Sequence, residues 1–185
     1  MLSKIFISYS RKDLVWKDRV LKHLGALESA GEFTAWDDQR IKAGDAWLPE
    51  IEAAMSTAEV ALLLVSADFL TSPFIKRIEI PRLLERRRAE GLRIIPVFVG
   101  PCAWAAVGWL AELQARPRDG KALSELKRHK AEKELAALAL EVRELLGKQT
   151  LVRSVQLRSA WHFTGAANRL ALHRSSTWLG STGAR

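Results

Sequence analysis

Three short stretches of the chain are apolar almost without interruption: Lys4–Tyr9 (KIFISY), Val60–Ser66 (VALLLVS) and Arg93–Val99 (RIIPVFV). Runs of this length, rich in β-branched residues and without polar alternation, predict strands covered on both faces. A fourth, Phe33–Asp37 (FTAWD), is shorter and more polar and is expected nearer a sheet edge. Between these runs the apolar period lengthens to that of a helix. Asp13 is placed to cap a helix running to about Glu28, with Val20, Leu21, Leu24 and Leu27 on one face and Gly31 closing the unit. A second helix is predicted from Ala46 to Thr57, turning Trp47, Ile51, Ala54 and Met55 inward. A third helical region, Asp68 to Ala89, is interrupted by Pro73 and Pro81. A last helix, from about Ser124 to Leu146, turns Leu126, Leu135, Leu138, Val142 and Leu145 inward. Strand and helix in alternation predict a doubly wound parallel α/β sheet. Such sheets bind ligands beyond the carboxyl ends of their strands, here Tyr9–Arg11, Asp37–Gly44, Ser66–Ser72 and Gly100–Trp104.

The pattern stops near residue 147. Residues 148–185 carry six basic and no acidic side chains and end rich in Ser, Thr and Gly. They are expected to be a basic tail or linker, flexible or weakly helical, or the stub of a larger protein. Charge follows this division. Of the formal +8, the tail holds +6 and the first 147 residues only +2. Any case for nucleic acid therefore rests on the tail, and six dispersed charges predict no specific nucleic-acid partner. With Cys102 the lone cysteine, a disulfide framework is excluded and a reducing cytoplasm is expected. The most apolar run is too short to span a bilayer, and the four histidines have no metal-ligand spacing, so neither a membrane span nor a metal is expected.

Four segments, taken in order and spacing, resemble a bacterial TIR (Toll/interleukin receptor/resistance protein) domain. They are KIFISYSRKD at 4–13, FTAWDDQRIKAGDAW at 33–47, IEAAMSTAEVALLLVSADFLTSPFIKRIEIPRLL at 51–84 and RIIPVFVG at 93–100. The resemblance covers about the first 100 residues. It implies a TIR domain over 1–147, with a flavodoxin-like three-layer fold around a parallel sheet of about five strands. Many such domains cleave NAD+ between nicotinamide and ribose, whereas others only assemble signalling complexes. The resemblance therefore implies an NAD+ glycohydrolase or cyclase activated by self-assembly, in bacterial immune (anti-phage) or toxin-type signalling. The alternative is a non-enzymatic adaptor. NAD+ is expected as substrate, with no bound cofactor. Self-association through TIR–TIR contacts is expected, with a larger effector or sensor as a further partner.

The family's catalytic glutamate falls on Glu79. The chemistry needs only one carboxylate. Nicotinamide in NAD+ is already a cationic pyridinium and leaves unprotonated, so the acid that ordinary glycosides require is dispensable. One carboxylate against the ribose holds its hydroxyls and stabilises the oxocarbenium ion. The competing reading of Glu79 is a solvated helix residue paired with Lys76 or Arg82. Pro81 should disfavour helical backbone at Ile80 and turn Glu79 toward the cleft. Where some relatives have Trp, four residues before the glutamate, this chain has Ile75, preceded by Phe74, which is the candidate for the nicotinamide pocket or a core residue. Tyr9, Ser10 and Arg11 are candidates for ribose or diphosphate contacts, against a plain surface role for Arg11. Trp36 is a candidate for base stacking, against core packing. Asp37, which orients a loop or takes a hydroxyl, and Ile41 complete the substrate-binding set. The BB loop, Asp38, Gln39, Arg40, Lys42, Ala43, Gly44 and Asp45, is expected to pack against a neighbouring subunit.

Overall fold

The computed structural model describes residues 2–41 and 46–147. The expected tail, 148–185, and Lys42–Asp45 of the BB loop lie outside these residues. Met1–Leu146 forms one compact unit. Four strands, β1 (Ser3–Tyr9), β2 (Phe33–Trp36), β3 (Val60–Val65) and β4 (Arg93–Phe98), build a parallel sheet in the order β2-β1-β3-β4. The most polar strand, β2, lies at an edge. The wholly buried β3 lies inside, between β1 and β4. In register, Ile5 stands between Ala35 and Val60.

The helices are α1 (Leu14–Ser29), α2 (Trp47–Thr57), α3 (Ala67–Thr71), α4 (Ile80–Glu90), a single turn α5 (Gly108–Ala111) and α6 (128–147). The two-residue period of the strands sorts the core into two layers. Ile5, Ile7, Leu62, Leu64 and Val97 face Val20 and Leu24 of α1 and Leu135, Leu138 and Val142 of α6. Phe6, Leu63, Val65 and Phe98 face Ile51 and Met55 of α2, Phe69 of α3 and Leu83 of α4. The continuous apolar runs follow directly: in β3 and most of β1 and β4, odd and even residues alike are buried.

In place of a fifth strand, the described residues show one parallel bridge. Arg116 donates its N–H to Pro96 O and accepts from Phe98 N, both at 2.8 Å. Beyond this bridge the described residues add no further pairing to β4.

Several boundaries depart from the sequence pattern. Asp13 precedes α1 but makes no capping hydrogen bond. Its carboxylate instead accepts from Ser66 Oγ at 2.6 Å, tying the ends of β1 and β3 together. Burial raises the Asp13 carboxyl above its ordinary range. The last helix starts at 128, because Leu123–Glu125 forms a separate 3-10 turn whose Glu125 carboxylate accepts from Ala122 N at 2.7 Å. Trp47, expected inward, is 41% exposed. Gly31 and Gly91, at φ 74° and 75°, close the α1 and α4 units in the left-handed conformation that glycine adopts freely.

Phe69 anchors α3 under β3 and is fully buried. Phe69→Ala should lower stability by about 3–5 kcal/mol, the usual cost of an aromatic-sized core cavity, read by urea denaturation.

Candidate functional site

The region after β3 decides the site. Ser66 Oγ accepts from Phe69 N at 3.1 Å and starts α3, which ends at Thr71 before Pro73. The chain then re-enters helix through a π turn, Ile75–Glu79, in which Ile80 N–H bonds to Ile75 O. Ile80 itself is helical, at φ −60° and ψ −48°. The expectation that Pro81 would drive Ile80 out of helical geometry is therefore not met. Pro81 directly follows the wider π turn, and Ile80 keeps helical backbone beside it.

Glu79 ends that π turn and points inward, 7% exposed. Ser8, near the end of β1 and also buried, donates its hydroxyl to Glu79 Oε2. The surface pairing with Lys76 or Arg82 does not form. Arg82 bridges to Glu52 at 2.6 Å, and Lys76 is exposed. Burial pushes the Glu79 carboxyl up to about 7, the negative charge of Asp38 adds to this, and the Ser8 hydrogen bond opposes it.

A cleft of ≈ 400 Å³ opens above this carboxyl at the carboxyl ends of β1 and β2. Of the sequence candidates, Tyr9, Ser10, Arg11, Trp36, Phe74, Ile75 and Glu79 all line it. Asp38, assigned to the BB loop, lines it too and accepts a hydrogen bond from the Tyr9 hydroxyl. Burial, then this bond, holds the Tyr9 phenol above its ordinary range, so Tyr9 stays a donor. Trp36 lies stacked on Phe6 with centroids 5.5 Å apart and keeps part of its surface open to the cleft.

Asp37 and Ile41 are not among the residues lining the cleft. Ile41 packs against the α2–α4 layer. Asp37 is buried, caps the Asp38–Arg40 turn through Gln39 N at 3.0 Å, and faces Lys17 at 3.9 Å. Gln39 and Arg40 are engaged within the domain, with Lys17 at 2.5 Å and Glu28 at 2.9 Å.

Several neighbours of the site were not among the sequence candidates for it, Ser8, Lys17 and Trp47 among them. Ser8 is the one small polar residue inside the apolar run of β1. Lys17 is 2% exposed and binds Asp18 at 2.7 Å as well as Gln39. Its position is legible in hindsight, because Lys17, Val20 and Leu24 share the apolar stripe of α1. Trp47 lies at the cleft's rim with its ring 4.5 Å from that of Phe74.

A parallel α/β domain with a single buried carboxyl facing a cleft at its strand ends is the class this geometry defines. The family model described as TIR domain matches residues 5–128, and the chain belongs to that family. An uncharacterized protein of Sinorhizobium fredii, y4lF, is 33% identical over 168 residues, which cover 90% of this chain and 51% of that protein. The chain thus spans about half the length of this curated relative. Among solved structures, the TIR domain of the Toll-related receptor TRR-2 from Hydra magnipapillata is 22% identical, with a TM-score of 0.40 over 53% of this chain and 71% of that one. The TIR domains of the activated Roq1 resistosome, which recognizes the effector XopQ, are 18% identical, with a TM-score of 0.44 over 79% of this chain and 82% of theirs. Among the described residues, no helix is long and apolar enough to cross a membrane.

Two stability predictions follow from these buried charges. The folded protein holds the Glu79 proton up to about pH 7, whereas the unfolded chain releases it near 4.5. Between these values the native state binds more protons, so stability falls as pH rises, by about 3 kcal/mol in total. Glu79→Gln should therefore be more stable than the parent at pH 8 and match it at pH 4, measured by urea denaturation. Lys17→Met leaves Asp37 buried without its cation and should cost about 3 kcal/mol at neutral pH in the same assay.

Proposed function

We infer that this TIR domain cleaves NAD+ at the bond between nicotinamide and ribose, with Glu79 as the catalytic carboxylate. The carrying observation is the position of that carboxyl: buried, bound to Ser8, and at the base of a cleft that opens beyond the strand ends. In this reading the ribose lies over Glu79, which accepts from its hydroxyls and faces the charge that develops at the anomeric carbon. The glycosidic electron pair leaves with nicotinamide. Water adds to the ribosyl cation and releases a proton, giving ADP-ribose, or an internal nucleophile adds first and gives a cyclised product. Arg11 and Lys12 stand exposed at the cleft and are placed for the diphosphate, although Lys12 also pairs with Asp68 at 2.8 Å. Trp36, Phe74 and Trp47 offer aromatic faces to the two heterocycles.

Self-assembly belongs to the same proposal. Trp47 and Leu48 are both exposed at the start of α2, directly after the BB loop, and a second copy that covered them would also wall the cleft. The setting that fits such an activity is immune or toxin-type signalling, in which NAD+ is consumed once assembly is triggered.

Nicotinamide release should be measured on concentrated protein, for the parent and Glu79→Ala side by side. The variant should lose about 10²–10⁴-fold in turnover, as is usual for a central electrostatic group. Folded, assembled parent protein that releases no nicotinamide would leave only the adaptor role. The pH profile gives an independent check. An ionised Glu79 is required, so kcat/KM should rise with pH to a plateau above about 7, the value for the free site. In the complex, the pyridinium cation favours the carboxylate, and the acid limb of kcat should move to lower pH.

A further inference from the structure

A second and larger concavity, ≈ 670 Å³, lies away from the cleft, between the segment that follows the Arg116 bridge and the outer face of α6. Its charge is out of proportion to the domain. Residues 116–133 hold seven Lys or Arg and three Asp or Glu, a formal +4 in a domain whose total is +2. Four of these cations line the concavity from two sides of the chain, Arg118 and Lys121 on the segment and Lys130 and Lys133 on α6. None of the four has an ion pair among the described residues. The acids nearby are partly engaged: both oxygens of Glu141 accept from Arg116, from Nε and Nη2, and Asp119 accepts from Lys121 N at 3.1 Å. One carboxylate, Glu134, remains. The lining between them is apolar, formed by Pro117, Leu126 and Leu138, with Pro117 and Leu138 buried.

We propose that this groove binds a soluble nucleoside polyphosphate. Cations from two sides of the chain neutralise adjacent phosphates, which a lone surface lysine does not. An apolar surface between them takes the flat face of a base, and Glu134 is placed to accept from ribose hydroxyls. Size and shape select against longer polyanions. A hollow of ≈ 670 Å³ has room for one nucleotide, whereas the apolar lining between its cations offers nothing to the backbone of a nucleic-acid strand or to lipid headgroups. The site stands apart from Glu79 and does not depend on the NAD+ reading.

Isothermal titration of the full chain with ATP, ADP, adenosine and inorganic pyrophosphate tests it, with a 30-mer single-stranded DNA as a further ligand. ATP should bind more tightly than ADP, adenosine should not bind, and raising the salt should weaken binding. Lys130→Glu/Lys133→Glu, on an exposed helix face, should weaken ADP at least about tenfold while the thermal melt stays close to that of the parent. Arg88→Glu, exposed on α4 and lining neither concavity, should leave ADP binding unchanged. The proposal is overturned if ADP fails to bind, if pyrophosphate binds as tightly as ADP, if only the DNA binds, or if Arg88→Glu weakens binding as much as the α6 variant does.

Discussion

The interaction on which the site depends is the burial of one carboxyl, Glu79, against the hydroxyl of Ser8. Neither group alone explains it. Ser8 is buried because β1 is an inner strand with helices on both faces. Glu79 is buried because the chain re-enters helix through a π turn instead of running straight from α3 into α4. An α-helix of uniform pitch rotates each residue by a fixed angle. One wider turn changes the phase, and π turns gather at functional sites for that reason. The cost is electrostatic: a carboxyl with one hydroxyl partner and no cation keeps its proton up to about pH 7, where the neutral and ionised forms are in balance. Sites that give up stability for a poised ionisable group are a recurring compromise in enzymes.

A second buried charge serves the frame around this site. Lys17 reaches from α1 to Gln39 and toward Asp37, which caps the turn leaving β2. That turn carries Asp38, the acceptor for Tyr9 and a neighbour whose charge raises the Glu79 carboxyl further. The end of β2, the end of β1 and the π turn are therefore linked by polar contacts rather than by packing alone. Polar links of this kind fix geometry more sharply than they stabilise, because desolvation offsets most of their gain. Ser66 does the same at the next strand end, capping α3 and holding Asp13.

The domain also separates its charges. Apart from residues 116–133, the first 147 residues carry a slight formal excess of acid, so near-neutrality overall conceals a local basic region around α6. Fields at that scale steer ligands to one face without changing the fold. The two concavities differ accordingly. The Glu79 cleft is aromatic at its rim and holds a buried acid, whereas the α6 groove is rimmed by free cations over an apolar lining.

The linear pattern determined much of this architecture. The apolar runs of β1, β3 and β4 announce strands buried on both faces, and the polar FTAWD run announces an edge, because burial on two faces leaves no room for alternation. The family motifs likewise drew most of the cleft-lining residues from distant segments. Tertiary structure alone decided where the period misleads. Trp47 has helical spacing with Ile51 and Met55 yet stands at the rim, since it begins its helix where the sheet no longer covers it. Lys17 lies on an apolar stripe and is buried because Asp18, Gln39 and Asp37, two of them distant in sequence, converge on its ammonium. Ile80 stays helical before Pro81, since the clash with the proline ring disfavours that backbone without forbidding it and helix on both sides holds it there. Periodicity records which face a residue occupies, but not what covers that face, and only the folded chain supplies the cover.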